Sequence, residues 1–307
     1  MKNLLVTMSG GTTSVINATL AGIIKSARES RMINKIYAGF PGIVGFMNDK
    51  IIDLSDLTEK EINILKNSPG SASIGTTRTK IFDVNDLNNL KEKFEKYKIG
   101  FFVNIGGNGT IKQTKSIASH IDEIFVASAP KTVDNDLGDQ NFEDLWFTPG
   151  FPSCVNYWKN KMFMLDNENI GAFTNDKVLV TQTFGRETGF IVGSLRMYDI
   201  DRNKPIILLL PEDQRSPSEV LDKIENTVKK HGRAVVGICE GYQIKKYNYN
   251  LDYTGQIMYG SSETSSMQQL INLCNKNKIQ ARGYNPTVDQ RQNFNFTLDK
   301  DIKIGYN

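Results

Sequence analysis

Short runs of apolar, β-prone residues recur along the chain at Leu4 to Thr7, Lys35 to Ala38, Gly100 to Ile105, Ile124 to Ala127, Val178 to Thr181, Ile206 to Leu210 and Ala234 to Ile238. A run that is apolar at consecutive positions suits a strand covered on both faces, the environment of a mostly parallel sheet. Helical patterns lie between the runs. The clearest opens at Ser216-Pro217-Ser218-Glu219, a capping serine, a first-turn proline and a glutamate at the third position, and predicts a helix to Lys230. His231, followed by Gly232, and His120 read as the basic ends of helices, where positive charge meets the helix dipole. The βαβα order predicts an α/β fold with right-handed crossovers and with ligands at the carboxyl ends of the strands. Functional residues are therefore sought immediately after strands.

Length and composition refine this picture. A chain of 307 residues, 39% hydrophobic, suits two modest α/β lobes with a cleft between them better than one small domain. Composition does not mark the boundary. The lobes are drawn at residues 1–145, rejoined by about 255–307, and at 146–254. Net charge is +3, from 37 basic and 34 acidic residues without a block of one sign, so the electrostatic footprint of a nucleic-acid binder is missing. The longest strongly apolar run, Ile206 to Leu210, is too short to cross a bilayer, and Leu4 to Met8 is too short for a signal-peptide core. Cys154, Cys239 and Cys274 form no C-x-x-C pair and are odd in number, which fits a reducing cytoplasm rather than a disulfide framework or a zinc site. With only His120 and His231 present, proton transfer is expected to fall to carboxylates.

Three strand ends carry the candidate chemistry. The first strand runs into Ser9-Gly10-Gly11-Thr12-Thr13-Ser14 and then a helical stretch; the strand from Gly100 runs into Gly106-Gly107-Asn108-Gly109-Thr110 and another. Glycine lets backbone approach a ligand, and amides at a helix start favour an anion, so the pair suggests a polyphosphate cradle. Neither turn has P-loop spacing, and either alone also fits a plain tight connection. The strand ending at Ala127 leads to Pro130-Lys131-Thr132-Val133-Asp134-Asn135-Asp136. Two carboxylates beside a lysine and a threonine suit a base for a hydroxyl and a ligand for hydrated Mg²⁺. The same residues also suit an acidic turn. Gln182-Thr183-Phe184-Gly185-Arg186, Cys239-Glu240-Gly241 and the pair Arg282 and Arg291 add groups suited to phosphate and sugar hydroxyls.

In this order the segments resemble the phosphofructokinase family, from the first strand to about Arg291. The resemblance rests on Gly10-Gly11 with Asn17, Gly75-Thr76-Thr77-Arg78, Gly106 to Thr110, Pro130 to Asp136, Thr148-Pro149-Gly150-Phe151, Phe184-Gly185-Arg186, Glu240-Gly241, and the spacing of Arg282 and Arg291. It implies two Rossmann-like lobes with mostly parallel sheets, an active-site cleft between them, and Mg²⁺-dependent transfer of a phosphoryl group to fructose 6-phosphate. On that resemblance Asp134 is the base for the sugar 1-hydroxyl, and Asp136, with Asn108, is the partner to metal. Thr132 lines the phosphoryl group, and Arg78 and Arg186 offset its charge. Gly10, Gly11, Gly107, Asn108, Gly109 and Thr110 hold the donor. Phe184, Gly185, Arg186, Glu240, Arg282 and Arg291 hold the sugar phosphate, and Lys177 reaches a neighbouring subunit's site in a homodimer or homotetramer.

The donor divides the motif residues. Lys131 stands where pyrophosphate-dependent members carry lysine, whereas Gly109 stands where those members often carry aspartate; the expectation is pyrophosphate ahead of ATP. Ile43 falls where an ATP-using member has an aromatic residue beside the adenine. Other departures touch the metal and the sugar. Asn108 replaces an aspartate, removing a negative charge from a hard-cation site. Gln182 replaces a glutamate, Ser14-Val15 a Pro-Gly, and Val288 a polar contact, while the chain ends at Asn307, sooner after Arg291 than is usual in the family. A second expectation is therefore a weakened or non-catalytic sugar-phosphate-binding protein, or a kinase for another sugar phosphate such as sedoheptulose 7-phosphate.

Overall fold

The computed structural model describes residues 1–79, 81–138, 146–251 and 257–307. The chain forms two compact units, the first Met1–Thr132, Leu137–Ser153 and Arg291–Asn307, the second Val133–Asp136 and Cys154–Gln290. The boundaries drawn at 145 and about 255 lie outside the described residues.

Unit 1 begins with β1 (Lys2–Met8), α1 (Ile16–Glu29), β2 (Ile33–Gly39), α2 (Gly42–Met47), β3 (Ile51–Asp53), α3 (Glu59–Lys66), α4 (Val84–Lys96), β4 (Ile99–Gly106), α5 (Asn108–His120) and β5 (Phe125–Pro130). Its sheet has the order β3-β2-β1-β4-β5, parallel except for β3. Both faces of β1 are covered, as its unbroken apolar run requires. Val6 packs with Ile16, Leu20 and Ile24 in one core layer, and Leu5 packs with Phe46, Phe94 and Phe102 in another.

The long helix α6 (Phe151–Ala172) starts in unit 1 and continues through unit 2. There follow β6 (Val178–Thr183), α7 (Phe190–Ser194), β7 (Ile206–Leu209), α8 (Pro217–His231), β8 (Ala234–Cys239), α9 (Ser266–Lys276), β9 (Ala281–Tyr284) and the short α10 (Asp289–Gln292). The second sheet, β7-β8-β6-β9, is parallel throughout. Val180, Ile207, Val236 and Ile224 are among the residues of its core. The capping box expected for α8 is present, with Ser216 and Glu219 satisfying each other's backbone amides, and Gly232 closes the helix at φ 76°. The chain ends in α11 (Asp299–Tyr306) in unit 1, close enough to α1 that a Cβ on Gly22 would lie 1.8 Å from the Tyr306 carbonyl oxygen.

Every strand expected from the apolar runs is present, and two further short strands, β3 and β9, extend the sheets. Both units are α/β with mostly parallel sheets, the expected fold class. Among the described residues no helix is long and apolar enough to cross a membrane.

Candidate active site

In unit 1 the carboxyl ends of β1, β4 and β5 bring three of the expected segments together. After β1 the chain turns at Gly10, where φ is 78°, a backbone conformation that costs glycine little. Gly10 donates its amide to the Thr77 carbonyl at 3.0 Å, and the Ser9 hydroxyl donates to the same oxygen. The Gly75–Arg78 segment therefore runs beside the end of β1. Asn17 anchors the approach to it: its amide nitrogen donates to Ser68 O and Ser71 Oγ, and its oxygen accepts from Ser73 N. Arg78 is exposed and has no ion-pair partner among the described residues.

Lys131, directly after β5, is 3% exposed. Its Nζ donates to the Gly11 carbonyl at 2.5 Å, and its amide donates to the Gly106 carbonyl at 3.0 Å. One residue thus ties the first glycine turn to the second. Arg291 also lies against the first turn, its guanidinium so close that a Cβ on Gly11 would be 2.6 Å from Cζ. Two cations consequently lie against Gly10-Gly11. Thr12 donates to Gln292, which fixes the same turn to the end of α10.

The second turn starts α5. Gly106 has no room for a side chain, because a Cβ would lie 2.2 Å from Thr110 Oγ1. A Cβ on Gly107 would lie 3.5 Å from Thr132 Cβ, so this loop and Thr132 are neighbours. Asn108 and Gly109 open the helix, with Asn108 exposed, and the Thr110 amide donates to the Gly107 carbonyl. Thr132 is held by Thr148-Pro149-Gly150: its amide donates to Pro149 O at 3.2 Å, and its carbonyl accepts from Thr148 Oγ1 at 2.8 Å.

Unit 2 takes over at Val133. There Asp134 Oδ2 lies 3.8 Å from Arg186 Nε. Arg186 adopts φ 52° directly after Gly185 at φ 132°, a strained pair for which the surroundings must compensate. The Thr188 hydroxyl donates toward both Gly185 O and Asp134 O at 2.9 Å, Glu240 accepts from the Arg186 amide at 3.3 Å, and the Cys239 thiol faces the carbonyls of Phe184, Arg186 and Thr188. Burial pushes that thiol far above its ordinary pKa, so it acts as a small hydrogen-bonding core residue and not as a nucleophile. Gly241 must be glycine, since a Cβ there would be 1.7 Å from the Arg186 carbonyl oxygen. Phe184 is positioned by Gln290, whose Oε1 accepts from the Phe184 amide at 2.8 Å and from the Trp158 indole at 3.1 Å. Gln290 lies 106 residues from Phe184 along the chain, and no local pattern in the sequence marks it.

The remaining expected residues are more dispersed. Arg282, on β9, pairs with Glu168 and with Asp176 at 3.6 Å. It belongs to unit 2 and Arg291 to unit 1. Lys177 is exposed just before β6, and its carbonyl accepts from Ala234 N. Gln182 spends its side-chain oxygen on the Met267 amide at the start of α9. Val15 fills a core pocket with Ala18 and Ile302. Ile43, 2% exposed, is part of the core and offers no surface to an adenine ring. Among the described residues no three His, Cys, Asp or Glu side chains gather as a metal cage. Mg²⁺ does not need one: it keeps most of its water and takes one or two protein oxygens together with substrate phosphate. Asn108, in unit 1, offers a hard oxygen of that kind without a charge, and Asp136, in unit 2, a carboxylate.

The phosphofructokinase family profile matches residues 3–292. A pyrophosphate–fructose 6-phosphate 1-phosphotransferase from Halomonas elongata is 32% identical over 253 residues, covering 78% of this chain and 58% of that protein. The ATP-dependent 6-phosphofructokinase 3 of Bacteroides thetaiotaomicron is 28% identical over 244 residues, 76% of this chain and 66% of that protein. The chain thus spans less than two thirds of the length of these curated relatives. The crystal structure of a pyrophosphate-dependent phosphofructokinase from Nitrosospira multiformis matches with a TM-score of 0.84 at 25% identity, over 99% of this chain and 74% of that one. With its glycine turns, its Lys131 tie and its Asp134–Arg186 pair built on a fold matched along nearly its whole length, the chain belongs to the phosphofructokinase family.

Proposed function

We propose that this chain transfers a phosphoryl group from pyrophosphate to the 1-hydroxyl of fructose 6-phosphate, giving fructose 1,6-bisphosphate and phosphate. The observation that carries this reading is Lys131, a buried ammonium held against Gly11 between two glycine turns, with Arg291 also against the first. Such a site suits a compact, highly charged anion and pairs a fixed cation with the leaving phosphate. The buried Ile43 supports the same choice, since it provides nothing for a nucleobase to stack on. The relatives named for pyrophosphate point the same way.

Asp134 takes the proton from the sugar hydroxyl, with the Arg186 guanidinium 3.8 Å from its carboxylate. The oxygen then bonds to the terminal phosphorus as the bond to the leaving phosphate breaks. Lys131, Arg78 and Arg186 offset the charge on the phosphoryl oxygens, and Thr132 lines them. The glycine turns bind the donor through backbone amides. Glu240, Arg282 and Arg291 bind the sugar phosphate, with Phe184 and Gly185 shaping its side, and Lys177 serves a neighbouring subunit in a dimer or tetramer. Asn108 and Asp136 are the residues that would hold Mg²⁺, whose charge would offset that of the phosphates.

Lys131→Met tests the assignment. It is expected to raise the pyrophosphate KM or lower turnover by roughly 10-fold or more, with fructose 6-phosphate binding retained. Unchanged pyrophosphate kinetics would defeat it. A second reading, sugar-phosphate binding with weak or no catalysis, draws on the neutral Asn108; calorimetry that finds fructose 6-phosphate bound by a well-folded but inactive protein would favour it.

A further inference from the structure

Asp301 on α11 is a fully buried carboxylate that pairs with no basic side chain among the described residues. It is nevertheless well bonded. Oδ1 accepts from the Gly150 amide at 3.0 Å; Oδ2 accepts from the Ser153 amide at 3.0 Å and from the Ser153 hydroxyl at 2.5 Å. Ser153 Oγ in turn accepts from Leu298 N at 3.2 Å, which closes the link back to the start of α11. A charged group is costly to bury without a counter-ion, and these three donors are what make its burial tolerable.

The turn that Asp301 grips is also the one that grips Thr132. Gly150 has φ 107° and forms a parallel bridge with Thr132, while Pro149 and Thr148 bond its amide and carbonyl. Both polar backbone groups of Thr132 are therefore fixed from one side by residues 148–150. Gly150 lacks a Cβ to stiffen it, and left to itself a glycine in such a conformation is mobile. Its amide is held by the carboxylate instead. All of these groups lie in unit 1.

We propose that Asp301 is a positioning residue for Thr132, acting through the Thr148–Gly150 turn. The proposal rests on the reading of Thr132 as a residue that lines the transferred phosphoryl group. A shift on the order of 1 Å at such a residue lowers turnover substantially without touching the sugar site. Asp301→Asn keeps the shape but, whichever way its amide turns, sets an N–H against a backbone donor, that of Gly150 or that of Ser153.

The test combines steady-state kinetics with amide exchange, measured by mass spectrometry, on the intact protein. For Asp301→Asn, kcat is expected to fall roughly 10-fold or more with the fructose 6-phosphate KM within about 2-fold of wild type. Peptides containing Thr132 and residues 148–151 are expected to exchange faster, and those from β6 and β8 at the wild-type rate. Thr148→Val, which removes the hydroxyl that donates to the Thr132 carbonyl, is expected to lower kcat in the same way. The double variant is expected to lose less than the product of the two losses, since both act through one turn. A folded Asp301→Asn protein with normal kcat and unchanged exchange at Thr132 overturns the proposal, even if it melts earlier. Should Asp301→Asn not fold, a normal kcat and exchange in Thr148→Val overturns it. A wild-type protein inactive with every donor overturns the phosphotransferase reading instead; the exchange measurement then decides alone whether Asp301 holds Thr132.

Discussion

Asp134 and Arg186 stand 3.8 Å apart within one unit, on backbone that is strained at Arg186 and braced by Thr188, Cys239 and Glu240. Bracing of that kind fixes a base and a cation with respect to each other. Asp134→Asn is accordingly expected to lower turnover by roughly 100-fold or more, with fructose 6-phosphate affinity by calorimetry close to wild type. Turnover near wild type would remove Asp134 as the base. Asp134, Lys131 and Arg186 were legible in the sequence as candidates because each follows a strand at an unusual spacing of charge and glycine. Thr148 was legible only as part of a motif, and Gln290 and Asp301 not as candidates at all. Their partners lie far along the chain, and nothing in the local pattern of an aspartate within an amphipathic helix announces that it will be buried against a turn. Gln182 and Val15 are departures from the family pattern that the structure explains: one bonds the amide of Met267, the other fills a core pocket.

At the scale of elements, strands with unbroken apolar runs were readable because burial on both faces leaves no choice of residue type. The two strands that escaped, β3 and β9, are short edge strands, and β9 leaves Arg282 exposed. Helix α8 was readable from its caps. What holds α6 to the second sheet was less so. Asp166 on α6 is fully buried and accepts from Lys204 at 3.0 Å, Arg233 at 2.6 Å and Tyr198 at 2.9 Å. Burial pushes its carboxyl up, but these donors outweigh it and hold the group below its ordinary range. A lowered folded value means that the stabilisation is present above the unfolded pKa of about 3.9 and is lost as pH falls through the folded value. Asp166→Asn leaves two cations facing an amide and is expected to cost on the order of 3 kcal/mol at pH 7. Thermal melts across pH check both points: the gap between wild type and variant should close as the solution is acidified toward pH 3. A gap that stays constant would show that the charge is not what stabilises the contact.

For the molecule as a whole, two α/β units with parallel sheets and a family match over residues 3–292 were within reach of the sequence, since the motifs recur in order along the chain. The sequence also put pyrophosphate ahead of ATP, although Lys131 and Gly109 point to different donors when taken as letters; the structure adds that Lys131 is buried against the first glycine turn while Ile43 lies in the core. The donor also divides the pyrophosphate reading most sharply from its alternatives. The decisive measurement is the rate of fructose 1,6-bisphosphate formation by the purified protein with Mg²⁺ and fructose 6-phosphate, with pyrophosphate and ATP supplied in parallel at matched concentrations. The expected result is turnover with pyrophosphate at least roughly 10-fold faster than with ATP. Faster turnover with ATP, or none with either donor on well-folded protein, would contradict it.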